Sequence, residues 1–324
     1  MTPPASPAGL VADIGGTNVR FARTLPGPDG APTLVDERVF RGDDHPDLES
    51  CLALYIDGLG GDRPTRAVFG VACAVDGDAI RLTNRDWLIS VEALKRRFGF
   101  ERLDLLNDFA AVAHAVPALR DKDRRPLPGP AWPDATPDRV SVVGPGTGLG
   151  VAVLVDGEHV IASEGGHAAF APHDAEEAEI LRLLLRRLPR VSKETLLSGR
   201  GLETLHGAMA ERDGRPVAPI TAARIVEQAS ADRLAHRTLE RFALLLASAL
   251  GDLALIHGAR AVAVAGGIPP RIAPWLDTAA FRDRFEDRGP ASALLRSVPV
   301  ALIAHPQPGL LGAARRLDLR FNRN

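Results

Sequence analysis

The chain has 324 residues, 45% of them hydrophobic, with 39 basic and 41 acidic side chains and a formal charge of −2. That length suits two domains better than one, and the balanced charge supplies no global field to gather nucleic acid or an anionic membrane surface. Its two cysteines, Cys51 and Cys73, are far apart with no CxxC spacing, which argues against a structural zinc centre, and no apolar run approaches the ~20 residues that span a bilayer.

The opening MTPPASPAG has neither a basic n-region nor an apolar h-region, so a cytoplasmic protein with reduced thiols is expected. LVAD (10–13) reads as a strand, Gly15-Gly16-Thr17 as a turn and NVRFART (18–24) as an alternating strand, which together predict a β-hairpin with a glycine tip. A strand over 33–40, an amphipathic helix over 47–59 and an apolar strand over 67–75 follow, closed by Asp76-Gly77-Asp78. Ser90 is placed to cap a helix that runs to Phe98. LDLL (103–106) is a strand leading through Asn107-Asp108 into the helix FAAVAHAV, with Asp108 the N-cap by composition.

Residues 120–138 are charged and proline-rich, the character of a surface connection, and the main boundary is set at or just before them. The pattern then restarts: strand RVSVV (139–143), a tip over Gly144–Gly148, and strand LGVAVLV (149–155). Residues 175–258 are mostly helical, and AVAVA (261–265) is a buried strand ending in Gly266-Gly267. Laying Thr17 over Thr147 also lays Gly16 over Gly146, between strands of matching polarity, so the two halves are expected to be related.

Glycine-rich tips present backbone N–H groups as anion-binding concavities, and Thr17 and Thr147 add hydroxyls. A GxxxxGK[ST] loop is absent, and the Rossmann pattern fails because Leu149 stands where a glycine is required. Asp13, at the end of the first strand, either holds Mg²⁺ through water or caps its turn. Asp108 either caps its helix or accepts a proton from a hydroxyl that attacks ATP. Glu164 and His167 flank a glycine pair in SEGGH, and with Glu194 in SKETLLSG they offer the hydrogen-bonding groups that a sugar needs.

The segments VADIGGTNVRFA, LTNRDW, LLNDFAAVAHAV, VVGPGTGLGVAVL, SEGGHAAFAP, ETLLSGRGL, VAVAGGIPPR and HPQPGLLGAA, in this order, resemble the bacterial glucokinase family within the actin and hexokinase superfamily. The resemblance implies an α/β, two-domain actin-like ATPase (ribonuclease H-like) fold with an interdomain cleft. Its small domain is 1–118, completed by 304–324, to which PVALIA (299–304) followed by GLLGAARRL returns the chain, and its large domain is 119–303.

By that likeness Asp108 is the catalytic base, and Asn107, Glu164, His167 and Glu194 join it in binding glucose. Gly15, Gly16, Thr17 and Asn18 in one tip and Gly146, Thr147 and Gly148 in the other hold ATP phosphates, Gly266 and Gly267 lie against adenosine, and Asp13 serves Mg²⁺. A homodimer is implied, as is phosphorylation of the glucose 6-hydroxyl. Other hexoses or a polyphosphate donor are the alternatives, with a non-catalytic sugar sensor behind them; a sensor would need a DNA-reading module for which the first nine residues leave no room. Two positions depart from the family pattern. Pro145 stands where a small side chain is usual, and Cys73-Ala74-Val75 lacks a proline common there. The zinc cysteine cluster of repressor-type relatives is missing, which points to the glucokinase branch.

Overall fold

A computed structural model describes residues 9–27, 31–60, 63–73, 75–82 and 85–321; Ala74, Thr83 and Asn84 of the motifs above lie outside them. The chain divides into two compact units, one formed by residues up to Lys122 with Leu154–Ala162 and the segment from His305, the other by Asp123–Val153 and Ser163–Ala304.

In chain order the first unit contains β1 (Gly9–Ile14), β2 (Asn18–Pro26), β3 (Pro32–Arg41), α1 (Leu48–Asp57), β4 (Arg66–Val71), β5 (Ala79–Arg81), β6 (Leu88–Ser90), α2 (Val91–Phe98), β7 (Arg102–Asn107) and α3 (Asp108–Ala115). Its main sheet has the order β3-β2-β1-β4-β7, antiparallel across β3-β2-β1 and parallel across β1-β4-β7. Both faces of β1 are buried. Leu10, Ala12 and Ile14 enter a core with Phe21, Tyr55 and Phe69, while Val11 enters a second core with Val68, Leu310 and Leu317, as the two-residue period of a strand dictates. Phe21 stacks on Tyr55 of α1 with ring centroids 5.1 Å apart.

The second unit contains β8 (Arg124–Pro126), β9 (Arg139–Pro145), β10 (Leu149–Val155), the C-terminal end of β11 (His159–Ser163), α4 (Ala175–Leu184), α5 (Lys193–Leu196), α6 (Gly199–Arg212), α7 (Ala222–Gln228), α8 (Arg233–His257), β12 (Ala261–Val264), α9 (Ala273–Leu276), α10 (Ala279–Glu286), α11 (Ser292–Leu295) and β13 (Val300–Ile303). The end of β10 and most of β11 are counted with the first unit, as is α12 (Pro308–Phe321). The sheet order is β11-β10-β9-β12-β13-β8. Its first five positions repeat the connectivity of the other sheet, a hairpin meander followed by two strands added in parallel beside the first, so the two halves share a topology as the paired glycine tips suggest.

Three local readings are corrected. The strand read over 67–75 stops at Val71, because the Cys73 N–H turns back to the Val71 carbonyl at 2.8 Å. The stretch 120–138 is not only a connection: its β8 adds antiparallel to β13 at the sheet edge, where Pro126 is tolerated. The cap of α3 is Asn107, not Asp108. The Asn107 Oδ1 accepts from the N–H groups of Phe109 at 2.9 Å and Ala110 at 3.2 Å, and Asp108 is already the first helical residue.

In the second unit α8 buries Phe242, Leu246 and Leu250 beside Phe281 and Phe285 of α10. Glu177 is 1% exposed there, and it is tolerable because Arg241 at 2.8 Å and Arg284 at 2.6 Å both donate to its Oε1 while the His173 N–H donates to its Oε2.

Candidate active site

In the first unit the chemistry-bearing residues gather at the carboxyl ends of the parallel strands, where α/β sheets bind ligands. Register sets Asp13 of β1 beside Gly70 of β4, Gly70 beside Leu106 of β7, and Val71 beside Asn107. Asn107 also donates from Nδ2 to the Cys73 carbonyl at 3.3 Å, tying the β7–α3 junction to the end of β4. Asp108 follows directly, and its Oδ1 accepts from the Phe109 N–H at 2.9 Å. Burial first, and then the Asp108 charge, push the Cys73 thiol above its usual range, so this cysteine stays protonated beside the carboxylate.

The tip between β1 and β2 is held by a bond from the Gly15 N–H to the Asn18 carbonyl at 3.0 Å, and the Gly42 N–H donates to the Thr17 carbonyl at 2.9 Å. Asp13 is part-buried. Burial pushes its carboxyl up, opposed by Arg20, whose Nη1 lies 3.3 Å from Oδ2. Gly309, near the start of α12, packs directly on that carboxylate, where a Cβ would stand 3.0 Å from Cγ.

In the second unit three predicted sites converge on Leu149. The tip of β9 and β10 closes through Gly146 N–H to Gly148 O at 2.8 Å, and the Gly146 carbonyl accepts from the N–H of Gly199 in the first turn of α6, also at 2.8 Å. Glu194, in the first turn of α5, accepts from the Leu149 N–H through Oε2 at 2.8 Å. Gly166, inside the Glu164–His167 turn, packs so closely on the Leu149 carbonyl that a Cβ there would collide with it. Glu164 and His167 face each other with Oε2 and Nε2 3.8 Å apart, both largely exposed. The same turn is braced by the bond from the Lys193 N–H to the Ala168 carbonyl at 2.9 Å. Gly266 has φ 96°, and a Cβ there would collide with the Pro145 carbonyl, so only glycine lets the loop after β12 lie against the tip.

Asn107, Asp108, Asp13 and the first tip thus belong to the first unit, and Glu164, His167, Glu194, the second tip and the Gly266-Gly267 loop to the second. Sequence reasoning missed Arg20, the counter-ion of Asp13, and Arg85, which donates to the Gly16 carbonyl at 2.6 Å. For Arg85 the only signal was its place in LTNRDW, a motif without an assigned role.

Comparison with known proteins places this α/β chain, with its two glycine–threonine hairpins and acidic strand ends, in the sugar-kinase class. The glucokinase family profile matches residues 10–319. The chain is 44% identical over 312 residues to a glucokinase of Caulobacter sp. (strain K31), covering 94% of each chain. It superposes on the crystal structure of a glucokinase from an Antarctic psychrotroph with TM-score 0.87 at 35% identity, covering 96% of this chain and 99% of that one. The ROK family glucokinase of Streptomyces griseus, solved with glucose and AMPPNP, shares the fold at TM-score 0.64 and 20% identity, covering 95% and 98%. The chain belongs to the glucokinase family.

Proposed function

We propose that this protein is a glucokinase that transfers the γ-phosphoryl group of ATP to the 6-hydroxyl of D-glucose. Family membership supports the reading, and one observation within the chain carries it: Asn107 caps α3, so capping does not account for the Asp108 carboxylate at the same strand–helix junction. A carboxylate there has the chemistry to accept the 6-hydroxyl proton as that oxygen attacks. Asn107, Glu164, His167 and Glu194 supply the donors and acceptors for the other hydroxyls. The backbone amides and hydroxyls of Gly15–Asn18 and Gly146–Gly148 take the phosphates, and Gly266-Gly267 takes the adenosine.

The division of these residues between two units supports an actin-like arrangement, with domains 1–118 plus 304–324 and 119–303. Mg²⁺ suits this donor set. Asp13 is a single carboxylate with one loose counter-ion at 3.3 Å, and this ion takes one or two carboxylates while keeping several waters. When bound it would neutralise charge on the transferring phosphoryl group. A homodimer and a cytoplasmic location complete the reading, both carried over from the family. The test is a coupled assay crossing glucose, mannose, fructose and N-acetylglucosamine with ATP, ADP and polyphosphate. Fastest turnover with glucose and ATP is expected, and turnover confined to another pair would overturn the assignment.

A further inference from the structure

We infer that Arg85 is a positioning residue of the donor site, which holds the first glycine tip in the conformation that receives phosphate. The inference rests on the reading of Gly15–Asn18 as a phosphate tip. Arg85 lies in the loop that joins β5 to β6, a hairpin anchored by the buried Ile80, Leu82, Trp87 and Ile89. Two backbone bonds, Leu82 N–H to Trp87 O at 3.1 Å and Trp87 N–H to Arg85 O at 2.8 Å, fix the Arg85–Trp87 stretch against the end of β5.

From there the guanidinium crosses the Trp87 ring with its carbon 4.7 Å from the centroid. Its Nη2 donates to the Gly16 carbonyl at 2.6 Å and lies 3.1 Å from the Asp43 carboxylate. The Arg85 side chain is 9% exposed, whereas that of Asp43 is 69% exposed. Gly42, whose N–H holds the Thr17 carbonyl, is glycine where any Cβ would collide with this guanidinium.

A trans peptide points its C=O and N–H in opposite directions. With the Gly16 carbonyl drawn onto Arg85, the Thr17 N–H is turned to the other side of the tip, and the positive charge polarises that peptide toward donation. Gly15 and Gly16 are flexible by composition, so without the brace the tip samples conformations in which this amide faces elsewhere. Burying an arginine against a carbonyl is expensive unless the bond is used. The aromatic stack alone accounts for burial of the side chain but not for the choice of Gly16 as partner.

The test is calorimetric titration of Arg85→Met, Arg85→Lys and Asp43→Asn with Mg²⁺-AMPPNP, adenosine and glucose separately. Loss of one charge-assisted bond should weaken AMPPNP binding roughly ten-fold in Arg85→Met. Adenosine, which has no phosphate, and glucose should bind within about two-fold of wild type, a pattern that general structural damage does not produce. Asp43→Asn should shift AMPPNP binding the same way by less, without adding to Arg85→Met in the double variant. Being mostly exposed, Asp43 keeps the test valid if Arg85→Met fails to fold. Arg85→Lys keeps the charge but not the fork, so full recovery of AMPPNP binding with lysine would overturn the inference, as would equal loss for all three ligands or no loss at all. Wild-type protein that binds adenosine and glucose but not AMPPNP overturns the phosphate-tip reading, and this inference with it.

Discussion

At the scale of single residues, Asn107 and Asp108 divide two jobs that one residue type can do. Because Asn107 carries the cap, Asp108→Asn should leave the melting temperature near wild type, since the amide oxygen can still accept from the Phe109 N–H. The amide cannot accept a proton, so kcat is expected to fall by ~10²- to 10⁴-fold with glucose affinity largely kept. Turnover within a few-fold of wild type would move the base to Glu164 or Glu194. His114, on the same helix, is buried, and its Nδ1 has no partner among the described residues. Burial first, then the charges of Arg316, Arg315 and His159, lower its pKa from 6.5 to about 4. The sign follows. The unfolded chain takes up a proton as pH falls through 6.5 and the folded chain does not until about 4, so acidification destabilises the fold across that window. At pH 5 this group should remove about 2 kcal/mol relative to pH 7. Urea unfolding of His114→Gln should show a stability difference from wild type that shifts in the variant's favour by that amount between the two pH values, and a constant difference would refute the assignment.

Among elements, the contact of α12 with α3 decides how Asp108 is held. The two helices approach so closely at Gly312 that a Cβ would collide with the Ala111 carbonyl, with the Ala115 nitrogen 2.9 Å away. Both obstacles are helical backbone and cannot yield by changing rotamer. Gly312→Ala should therefore destabilise the protein by roughly 3 kcal/mol, at the upper end for overpacking, and should lower kcat by displacing the start of α3. Gly60→Ala meets nothing within 4 Å and serves as the neutral control in the same denaturation series. Equal stability of the two variants would show that α12 and α3 separate without penalty.

For the whole molecule, each unit has its own core: Phe21, Tyr55 and Phe69 on one side of the division, Phe242, Phe281 and Phe285 on the other. Each can therefore keep its internal packing as a unit of its own. On the proposed reading glucose ligands come from both units, and an open site would let water compete for the γ-phosphoryl group. Saturating glucose alone should therefore lower the radius of gyration in X-ray scattering and precede productive ATP use. An unchanged radius would leave the sugar bound without the domain closure this reading requires.

Local chemistry carried much of this protein's design in a legible form. Glycine-rich turns between alternating strands specify hairpins through neighbours a few residues apart, and the restart of that pattern at 139–155 announced the duplication that the two sheet orders share. Asp13 and Asp108 were readable as candidates because strand ends and helix starts are themselves local signals, whereas Asn107 came only from the family likeness. Tertiary structure alone decided what depends on distant partners. It assigned the α3 cap to Asn107, whose amide also reaches Cys73 at the end of β4, and drew Arg85 onto a carbonyl 69 residues away. It turned part of a proline-rich connection into an edge strand against β13, and it brought Glu194 to the N–H and the Gly166 turn to the carbonyl of the same residue, Leu149. None of these has a sequence period or a turn signature, because each depends on where the rest of the chain brings a backbone N–H or carbonyl, and such placement is fixed only when both cores have packed.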